Sequence, residues 1–311
     1  MEIITSLENF HGFERPCVIA LGTFDGLHLG HQDVISSAAK YAREHNCYLA
    51  VFTFSNHPFS LIKPSEVPMS LIGSKEKYAL LEKMGVDLLV EVPFDRQLAE
   101  LSPSAFLQQL TKLGFECLAV GENFNFGCHG DGNIATLKRF ASEMGFELIV
   151  RPLVSDNGII VSSTEIRHLI SAGDIAEANR MLGRKYTLSG VIVKGCQRGR
   201  LLNFPTANIE LFAQQAAIPH AGVYAVRVYV NDFSYYGMAN IGLNPTFGDV
   251  TAARLETHIF DFSSDIYGSC MHVEFHKFIR NECKFASVQE LCRQLEADKA
   301  CCREFFELQR L

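Results

Sequence analysis

The sequence lacks any apolar run close to the roughly 20 residues that a membrane-spanning helix requires. Its first residues, Met1 to Ser6, also lack the basic start and the long apolar core of a secretory signal peptide. These two absences argue against a transmembrane segment and against export. We therefore expect a cytoplasmic protein without a membrane partner.

Motifs for zinc binding and for redox chemistry are missing as well. None of the ten cysteines takes part in a Cys-x-x-Cys motif, so a zinc or redox site has little support. A disulfide framework is typical of small exported chains, whereas this chain has 311 residues and no export signal. We expect all ten cysteines to be reduced and mostly buried.

The chain also lacks an excess of positive charge. The net charge is −7 at pH 7, whereas a nucleic-acid-binding domain usually presents a basic face. We therefore expect no nucleic-acid partner, and any phosphate site must be built from local groups. What the chain does have is the 48% hydrophobic composition of an ordinary globular protein and enough length for two domains with separate cores.

Residues 1–182 alternate between strand-like and helix-like segments. Predicted strands span residues 18–21, 49–54, 87–92, 117–120 and 147–152. Predicted helices span residues 32–45, 74–84, 103–113, 134–144, 165–172 and 175–182. This alternation is typical of an α/β fold with a doubly wound parallel sheet. Ligands of such sheets bind beyond the carboxyl ends of the strands.

The segment from Gly22 to His31, Gly-Thr-Phe-Asp-Gly-Leu-His-Leu-Gly-His, follows the first predicted strand and leads into the first predicted helix. A helix N-terminus favours an anion because its backbone N–H groups and its dipole both act there. His28 and His31 fall in this turn with Gly30 between them, and we predict a nucleotide-phosphate site. The alternatives are exposed or structural histidines, or a zinc site, which two histidines alone support only weakly.

Three further segments follow predicted strands at the same edge of the sheet, the last of them after a short predicted strand at residues 158–161. They are residues 54–59, residues 121–127 and residues 162–167. In the last segment, Ser163 and Thr164 are typical of a helix N-cap, and Arg167 can bind phosphate oxygens through two N–H groups. Each segment has an ordinary alternative as a cap or a turn, but their convergence on one edge favours a functional interpretation.

From Tyr186 onward the apolar residues alternate with period two, and glycine, asparagine and aspartate mark the turns. This pattern predicts a small antiparallel β-barrel with strands at residues 186–193, 207–209, 223–230, 234–241, 255–260 and 270–278. A terminal helix is predicted after the capping box Ser287-x-x-Glu290. We place the domain boundary between residues 183 and 184.

Two features of this second half carry chemistry. The basic, glycine-containing loop from Lys194 to Asn208 can wrap phosphates, and Thr206 and Asn208 share one side of a strand. Two neutral oxygen ligands suit Mg²⁺, whose octahedron is then completed by water and substrate phosphates. Glu256 is the one acid of an apolar strand, and it can accept the proton of a substrate hydroxyl. The alternatives are a polar hairpin and a glutamate that simply points outward.

The motifs together resemble a known family. His28-x-Gly30-His31 and Ser163-Thr164-x-x-Arg167 resemble the nucleotidylyltransferase superfamily. The longer motif from Gly22 to His31 and the segment from Gly121 to Gly127 resemble the FMN adenylyltransferase module of bacterial FAD synthetases. Four segments of the second half resemble the riboflavin kinase module. They lie at residues 204–208, 222–225, 242–247 and 256–262. The chain is thus similar to the bifunctional prokaryotic riboflavin kinase/FAD synthetase family over nearly its whole length.

The resemblance implies two domains, an FMN adenylyltransferase at residues 1–183 and a riboflavin kinase at residues 184–311. Riboflavin and ATP would give FMN and ADP, and FMN and ATP would then give FAD and pyrophosphate. Mg²⁺ would accompany ATP, and the flavins would be substrate and product. We expect a monomer or a weak homo-oligomer.

The resemblance also implies roles for individual residues. The catalytic residues would be His28, His31, Arg167 and Glu256. ATP and phosphate would be bound by Gly22, Phe24, Gly30, Asn123, Ser163, Thr164, Gly195 and Arg200. The flavin would be bound by Phe54, His57, Pro58, Phe124 and Phe126, although the three phenylalanine rings can also belong to the core. The metal would be bound by Thr206 and Asn208.

The sequence departs from the family pattern in four places. Asn56 and Asn203 stand where proline and glycine are usual, Glu165 where arginine is frequent, and residues 128–132 where basic residues are common. Two other hypotheses remain open. One is a nucleotidylyltransferase for another acceptor, such as a pantetheine or a nicotinate nucleotide. The other is a flavin-binding or regulatory protein without turnover.

Overall fold

The structure, a computed structural model, describes residues 1–7, 14–195, 204–212, 215–245 and 251–308. The chain forms two compact units. The first consists of Met1–Pro68 and Ser74–Ser162, and the second of Met69–Gly73 and Ser163–Leu311.

The first unit contains a six-stranded parallel sheet and a short antiparallel hairpin. Their strands are β1 (Glu2–Ile4), β2 (Cys17–Leu21), β3 (Tyr48–Phe54), β4 (Leu88–Val92), β5 (Phe115–Gly121), β6 (Glu147–Arg151), β7 (Ser155–Asp156) and β8 (Ile159–Ile160). The order across the large sheet is β1-β4-β3-β2-β5-β6. The chain order reverses at β2, which has β3 on one side and β5 on the other. Open α/β sheets bind ligands at such a switch point.

Helices connect these strands. They are α1 (Leu29–His45), α2 (Phe59–Ile62), α3 (Ser74–Lys83), α4 (Arg96–Ala99), α5 (Pro103–Leu110) and α6 (Ile134–Met144). Ser102 caps α5, as the sequence predicts, since its Oγ accepts a hydrogen bond from the backbone N–H of Ala105 at 3.3 Å. Gly145 ends α6 with a φ of 77°, which glycine adopts without strain.

The core of the first unit lies on both faces of β2, whose five residues are all buried. Val34, Ile35 and Ala38 of α1 are buried as well, and α1 packs against β2 and β5. Side chains of α5 and α6 join a separate cluster with residues of β2 to β5. The predicted doubly wound parallel sheet is confirmed. The short edge strand β1 was not predicted because three residues carry no recognisable period.

The second unit contains a closed antiparallel barrel in the order β10-β13-β12-β11-β14-β9. Its elements are α7 (Ser163–Ala172), α8 (Ile175–Leu182), β9 (Tyr186–Val193), β10 (Ala207–Leu211), β11 (Gly222–Val230), β12 (Phe233–Pro245), β13 (Thr251–Ile259), β14 (Cys270–Asn281) and α9 (Val288–Leu308). The predicted barrel and terminal helix are confirmed. The Oγ of Ser287 accepts a hydrogen bond from the backbone N–H of Glu290 at 3.2 Å, as its capping motif requires.

The helices α7 and α8 belong to the second compact unit, although the sequence pattern assigns them to the first domain. The buried side chain of Asn179 explains the position of α8. Its Nδ2 donates to the carbonyl of Phe275 at 2.8 Å, and its Oδ1 accepts from the backbone N–H of Tyr186 at 2.6 Å. A buried amide with both groups satisfied holds α8 against β9 and β14. The functional boundary between residues 183 and 184 stays a prediction.

No helix in the described ranges is long and apolar enough to cross a membrane. Each cysteine that the structure describes is a free thiol. Only Cys17, Cys47, Cys117 and Cys302 of these are buried, and the thiols of β14 and the loop after it are exposed at Cys270 and Cys283. The expectation of mostly buried cysteines is therefore wrong.

Candidate active sites

The turn between β2 and α1 lies at the switch point of the parallel sheet. Its backbone is left-handed at Phe24, Gly26 and Leu27, with φ values of 48°, 80° and 43°. This conformation is uncommon for residues other than glycine, and packing must hold it in place. Phe24 and Leu27 are each only 1% exposed. The burial of these two side chains holds the left-handed turn, and α1 begins directly after His28.

His28 is the N-cap of α1, and its Nδ1 accepts a hydrogen bond from the backbone N–H of His31 at 3.3 Å. A neutral imidazole that accepts at Nδ1 carries its proton on Nε2. The His28 and His31 rings are stacked, with 3.6 Å between their centroids. Both imidazoles therefore lie side by side at the positive end of a 17-residue helix.

His31 is held in its neutral form. Burial, and secondly the neighbouring His28, place the pKa of His31 well below the ordinary value of 6.5. Its Nδ1 is buried and has no hydrogen-bond partner within the described part of the chain. An unpaired buried nitrogen is costly unless a ligand supplies the partner. The N-terminus of α1 thus has an unpaired imidazole nitrogen, Nδ1 of His31, next to His28.

The glycines of this motif allow the rings to pack closely. A Cβ at Gly30 would lie 3.2 Å from Cε1 and 3.3 Å from Nδ1 of His28. A Cβ at Gly22 would lie 3.0 Å from the ring of Phe24, which meets the ring of His31 edge to face at 5.3 Å. Phe24 was predicted to bind the nucleotide. It is buried, and its contact with His31 makes it a support for that ring.

Two polar contacts that sequence reasoning missed also hold this turn. The buried Thr53 of β3 donates from Oγ1 to the carbonyl of Thr23 at 2.9 Å. Arg151, at the end of β6, binds Asp33 of α1 through Nε at 2.7 Å and Nη2 at 3.1 Å. A bidentate pair of this kind orients α1 relative to the sheet. Neither contact has a local signal, because each joins residues distant in sequence.

The loop after β3 carries three predicted flavin-binding residues. Phe54 is partly buried and meets Phe94 edge to face at 5.1 Å. The Nδ1 of His57 accepts a hydrogen bond from the backbone N–H of Phe59 at 3.1 Å, and Pro58 is the N-cap of α2. His57 and Pro58 thus shape the turn into α2, and both keep part of their surface exposed.

Asn56 ties this loop to the end of β4. Its Oδ1 accepts from the backbone N–H of Phe94 at 2.7 Å, and its Nδ2 donates to the carbonyl of Phe94 at 3.1 Å. The same Nδ2 lies 2.8 Å from the Oγ of Ser60. The residue that departs from the family pattern is therefore a structural clamp between the loops that follow two neighbouring strands.

The predicted ligand-binding residues of the segment after β5 differ in how far they are exposed. Asn123 is exposed, and a Cβ at Gly121 would lie 3.2 Å from its Oδ1. Phe124 is partly buried and stacks on Phe126 with 5.7 Å between the ring centroids. Phe126 itself is only 6% exposed and belongs to the core of the first unit. The core alternative therefore describes Phe126, whereas Asn123 and Phe124 keep accessible surface.

Ser163, Thr164 and Arg167 lie in the first turns of α7, in the second unit. Thr164 is exposed, and the Nε of Arg167 donates to the carbonyl of Met69 at 2.6 Å. Glu165 stands between them and lies 3.7 Å from His168. The guanidinium of Arg167 is thus oriented by the short segment Met69–Gly73, which belongs to the same unit.

A second group of polar side chains lies on the barrel. Asn208 of β10 pairs with Glu256 of β13, and Glu256 pairs in turn with Asn240 of β12. Residues directly opposite one another on neighbouring strands point to the same face of a sheet. Since Ala207 and Ile209 are buried, this face is the outer one. The three side chains form a row across three strands.

Thr206 and Gly195 complete this row at its Asn208 end. The Oγ1 of Thr206 donates to Oε2 of Glu256 at 3.4 Å, and Nη1 of Arg254 lies 3.4 Å from Oε1 of Glu256. A Cβ at Gly195 would lie 2.3 Å from Nδ2 of Asn208, so the glycine lets the loop approach this amide. The structure brings Thr206, Asn208 and Glu256 together, as the sequence analysis requires. Arg200 and Asn203 lie outside the described residues.

Sequence reasoning missed the other end of the row. The Nδ2 of Asn240 donates to Oε1 of Glu282 at 3.2 Å. A Cβ at Gly242 would lie 3.1 Å from that same Oε1, so glycine makes room for the carboxylate. An amide in the largely apolar strand β12 is a weak signal for Asn240. Glu282 follows the end of β14 and has no signal at all.

His258 lies next to this group, two residues after Glu256 on β13. It is 6% exposed, and its Nδ1 lies 2.8 Å from the carbonyl oxygen of Pro205. Burial lowers the pKa of His258 more than the bond to this carbonyl raises it. The imidazole is therefore neutral near physiological pH.

A cavity of about 580 Å³ opens beside Thr206. Its wall is mixed. The apolar part consists of Ile192, Pro205, Ala207, Ile259, Phe262, Ile266 and Tyr267, and polar groups come from Thr206, Ser263, Ser264 and Asp265. The fully buried Thr257 also lines it, and its Oγ1 has no hydrogen-bond partner among the described residues. A cavity that combines apolar walls with polar side chains can bind a small molecule.

Comparisons with known proteins show the family of the chain. A family model described as FAD synthetase matches residues 11–165, and one described as riboflavin kinase matches residues 182–306. A bifunctional riboflavin kinase/FMN adenylyltransferase from Listeria monocytogenes is 39% identical over 93% of this chain and 92% of its own. The protein of the same name from Escherichia coli K12 is 35% identical over 99% of both chains. The chain belongs to the bifunctional riboflavin kinase/FMN adenylyltransferase family.

A solved structure extends this family likeness to the fold. It is described as a macrolide-efflux protein from Streptococcus pneumoniae, and it matches with a TM-score of 0.90 and 33% identity. The match covers 97% of this chain and 98% of that chain. The description applies to that protein alone, and the likeness shows a common fold. As a member of the bifunctional family, the chain is a transferase with both activities.

Proposed function

We propose that the chain makes FAD in two steps at two separate sites. Riboflavin is phosphorylated at the row of side chains on the barrel, and FMN is adenylylated at the histidine pair of the first unit. The observation that carries the proposal is the pairing of Asn208 with Glu256, with Thr206 3.4 Å from the same carboxylate. This arrangement puts a proton acceptor beside the two neutral oxygen ligands that the kinase step needs.

In the kinase step, Glu256 accepts the proton of the terminal ribityl hydroxyl as its oxygen attacks the γ-phosphorus of ATP. The new O–P bond forms while the bond between the γ-phosphorus and the β,γ-bridging oxygen breaks, and ADP leaves. Phosphoryl transfer of this kind depends mainly on positioning and on charge neutralisation. Arg254 keeps Glu256 oriented, since its Nη1 lies 3.4 Å from Oε1.

Thr206 and Asn208 would hold the Mg²⁺ that accompanies ATP. In the part of the chain that the structure describes, no three His, Cys, Asp or Glu side chains cluster as a metal site. A hydroxyl and an amide oxygen suit Mg²⁺ because this ion takes most of its ligands from water and phosphates. Bound there, Mg²⁺ would neutralise charge on the ATP phosphates. We assign the nucleoside of ATP to the cavity beside Thr206, because Thr206 itself lines that cavity.

In the adenylylation step, the nucleophile is the phosphate of FMN, which is already ionised and needs no strong base. Its oxygen bonds to the α-phosphorus of ATP as the bond to the α,β-bridging oxygen breaks, and pyrophosphate leaves. His28 and His31 stabilise charge at the α-phosphate from the N-terminus of α1. Support comes from the unpaired Nδ1 of His31, for which an ATP-derived partner would be stabilising. For Ser163, Thr164 and Arg167, the role of binding pyrophosphate rests on their sequence motif.

The flavin side of this step is formed by Phe54, His57, Pro58 and Phe124, which all keep exposed surface. The remaining parts of the proposal follow from the sequence. The functional boundary lies between residues 183 and 184, and the protein is a cytoplasmic monomer or weak homo-oligomer that binds no nucleic acid.

The direct test is product formation. The protein incubated with riboflavin, ATP and Mg²⁺ should yield FMN and FAD, which chromatography separates. A folded protein that yields neither product would refute the proposal. If pyrophosphate were released only with an acceptor other than FMN, the chain would be a nucleotidylyltransferase for that acceptor. Tight flavin binding without any turnover would instead indicate a flavin-binding or regulatory protein.

A second prediction concerns the clamp at Asn56. In Asn56→Ala the loop after β3 loses both hydrogen bonds to Phe94, together worth about 1–3 kcal/mol. We expect the KM for FMN in FAD formation to rise between about fivefold and 150-fold, with the KM for ATP nearly unchanged. Ser60→Ala is the matched control, because it removes only the side contact of Asn56. An unchanged KM for FMN in Asn56→Ala would argue against a flavin site at this loop.

A further inference from the structure

The segment Phe204-Pro205-Thr206 carries a proposed metal ligand but lies before the first ladder pair of β10. Among the described residues, pairing of β10 with β13 begins at Ala207 opposite Thr257. Pro205 has no N–H and cannot donate to a neighbouring strand. Beyond the bond to Ala207, the position of Thr206 relative to Glu256 therefore depends on side-chain contacts.

One such contact is made by His258. Its Nδ1 lies 2.8 Å from the carbonyl oxygen of Pro205, the residue directly before Thr206. A carbonyl oxygen can only accept, so the proton of a neutral imidazole must be on Nδ1. The Nε2 of His258 is buried and has no partner in the described ranges, which also favours the form without a proton there. The contact is thus a directed hydrogen bond from β13 to the segment that precedes Thr206.

The ring of His258 is itself packed between two aromatic rings. Phe204 and Phe260 flank it at centroid distances of 5.2 and 5.7 Å. Lys299 of α9 lies over both phenylalanine rings, at 5.7 Å from that of Phe204 and 6.0 Å from that of Phe260. An imidazole packed in this way loses little entropy when it donates a hydrogen bond, and it can hold its acceptor in one place.

Glu256 and His258 lie two residues apart on β13 and so share one face of the strand. The first contacts Thr206 and the second contacts Pro205. We propose that His258 is a positioning residue of the kinase step, which holds the Pro205 carbonyl and thereby keeps Thr206 at the right distance from Glu256. The inference rests on the proposed function, since it assigns the bound metal to Thr206 and the proton transfer to Glu256.

The test compares two variants of His258. His258→Leu keeps much of the apolar volume and removes the donor, whereas His258→Asn places an amide Nδ2 where the imidazole Nδ1 stood. In His258→Leu we expect riboflavin phosphorylation to fall by about tenfold or more and the Mg²⁺ concentration for half-activation to rise similarly, since the Pro205 carbonyl loses the donor that holds it beside Thr206. The KM for riboflavin should change little. His258→Asn should restore both quantities to within a few-fold of the unmodified protein.

FAD formation from supplied FMN serves as the internal control and should be unchanged in both variants. His272→Leu is the matched control on the same barrel, because His272 is exposed and bonded to Ser189. Normal Mg²⁺ activation in His258→Leu, or equal impairment of the Leu and Asn variants, would refute the positioning role. If the unmodified protein made no FMN at all, the proposed function would fail instead.

A measurement on the unmodified protein keeps the inference testable even where the leucine variant does not fold. The ¹⁵N chemical shifts of the imidazole distinguish the two neutral tautomers of histidine. The inference requires the proton of His258 to be on Nδ1 at neutral pH. A proton on Nε2 would contradict it, because Nδ1 could not then donate to Pro205.

Discussion

Replacing His28 by alanine should abolish FAD formation and leave FMN formation intact. The substitution removes the imidazole from the N-terminus of α1 and breaks its stack on His31, whose centroid lies 3.6 Å away. Loss of one preorganised donor at a developing negative charge typically costs about 100- to 1,000-fold in rate. The measurement is the rate of FAD formation from FMN and ATP, beside the rate of FMN formation from riboflavin in the same preparation.

His28 is also the N-cap of α1, and a lost cap costs about 1 kcal/mol of stability on its own. His28→Asn separates the two effects, because asparagine caps helices well but has no imidazole. We expect His28→Asn to unfold at nearly the normal temperature and still to form almost no FAD. His45→Ala, in the last turn of the same helix, is the matched control and should remain active. An active His28→Asn would mean that His28 serves only as a cap.

Replacing Glu256 by glutamine should abolish FMN formation while added FMN is still converted to FAD. Glutamine keeps the shape of the side chain and its contact with Thr206, but it cannot accept a proton from the ribityl hydroxyl. A positioned general base typically contributes about 100- to 10,000-fold, so a loss in that range is expected in kcat. The KM for riboflavin should change far less, because the contact that is lost belongs to the transition state.

The structure offers a sharper control for this prediction than the sequence does. Glu282 is a second carboxylate on the same row, 3.2 Å from Asn240, which pairs with Glu256. Glu282→Gln should retain most of its kinase turnover if Glu256 is the base. If the large loss appeared in Glu282→Gln instead, the proton acceptor would be Glu282. Loss of both the kinase and the adenylylation steps in either variant would argue against separate sites.

The strands and helices followed from the sequence because their signals are local. A fully apolar run predicts β2, and the period of buried residues predicts α1. The ends were less predictable, since β12 and β13 extend beyond the predicted bounds. The position of α8 depended on the buried amide of Asn179, whose partners lie in β9 and β14. No pattern within α8 reports those partners.

The candidate site residues also divide into those that a local sequence motif identifies and those whose position depends on packing. The sequence placed His28, His31, Thr206, Asn208 and Glu256 in the two sites, because each belongs to a motif with a chemical reason for its spacing. It assigned Phe24 and Phe126 to ligands, and the structure places both inside, at 1% and 6% exposure. An aromatic residue after a strand looks the same in sequence whether it faces a ligand or the core.

By itself, the sequence determined the chemistry available to this protein: two histidines at a helix start, a threonine and an asparagine two residues apart, and one acid in an apolar strand. Residue type and spacing are properties of the chain, so folding does not alter them. Tertiary structure alone decided that His31 is neutral with an unpaired nitrogen, that Asn240 and Glu282 extend the row of Glu256, and that His258 holds Pro205. These facts depend on burial and on strand register, which arise only when distant segments pack together.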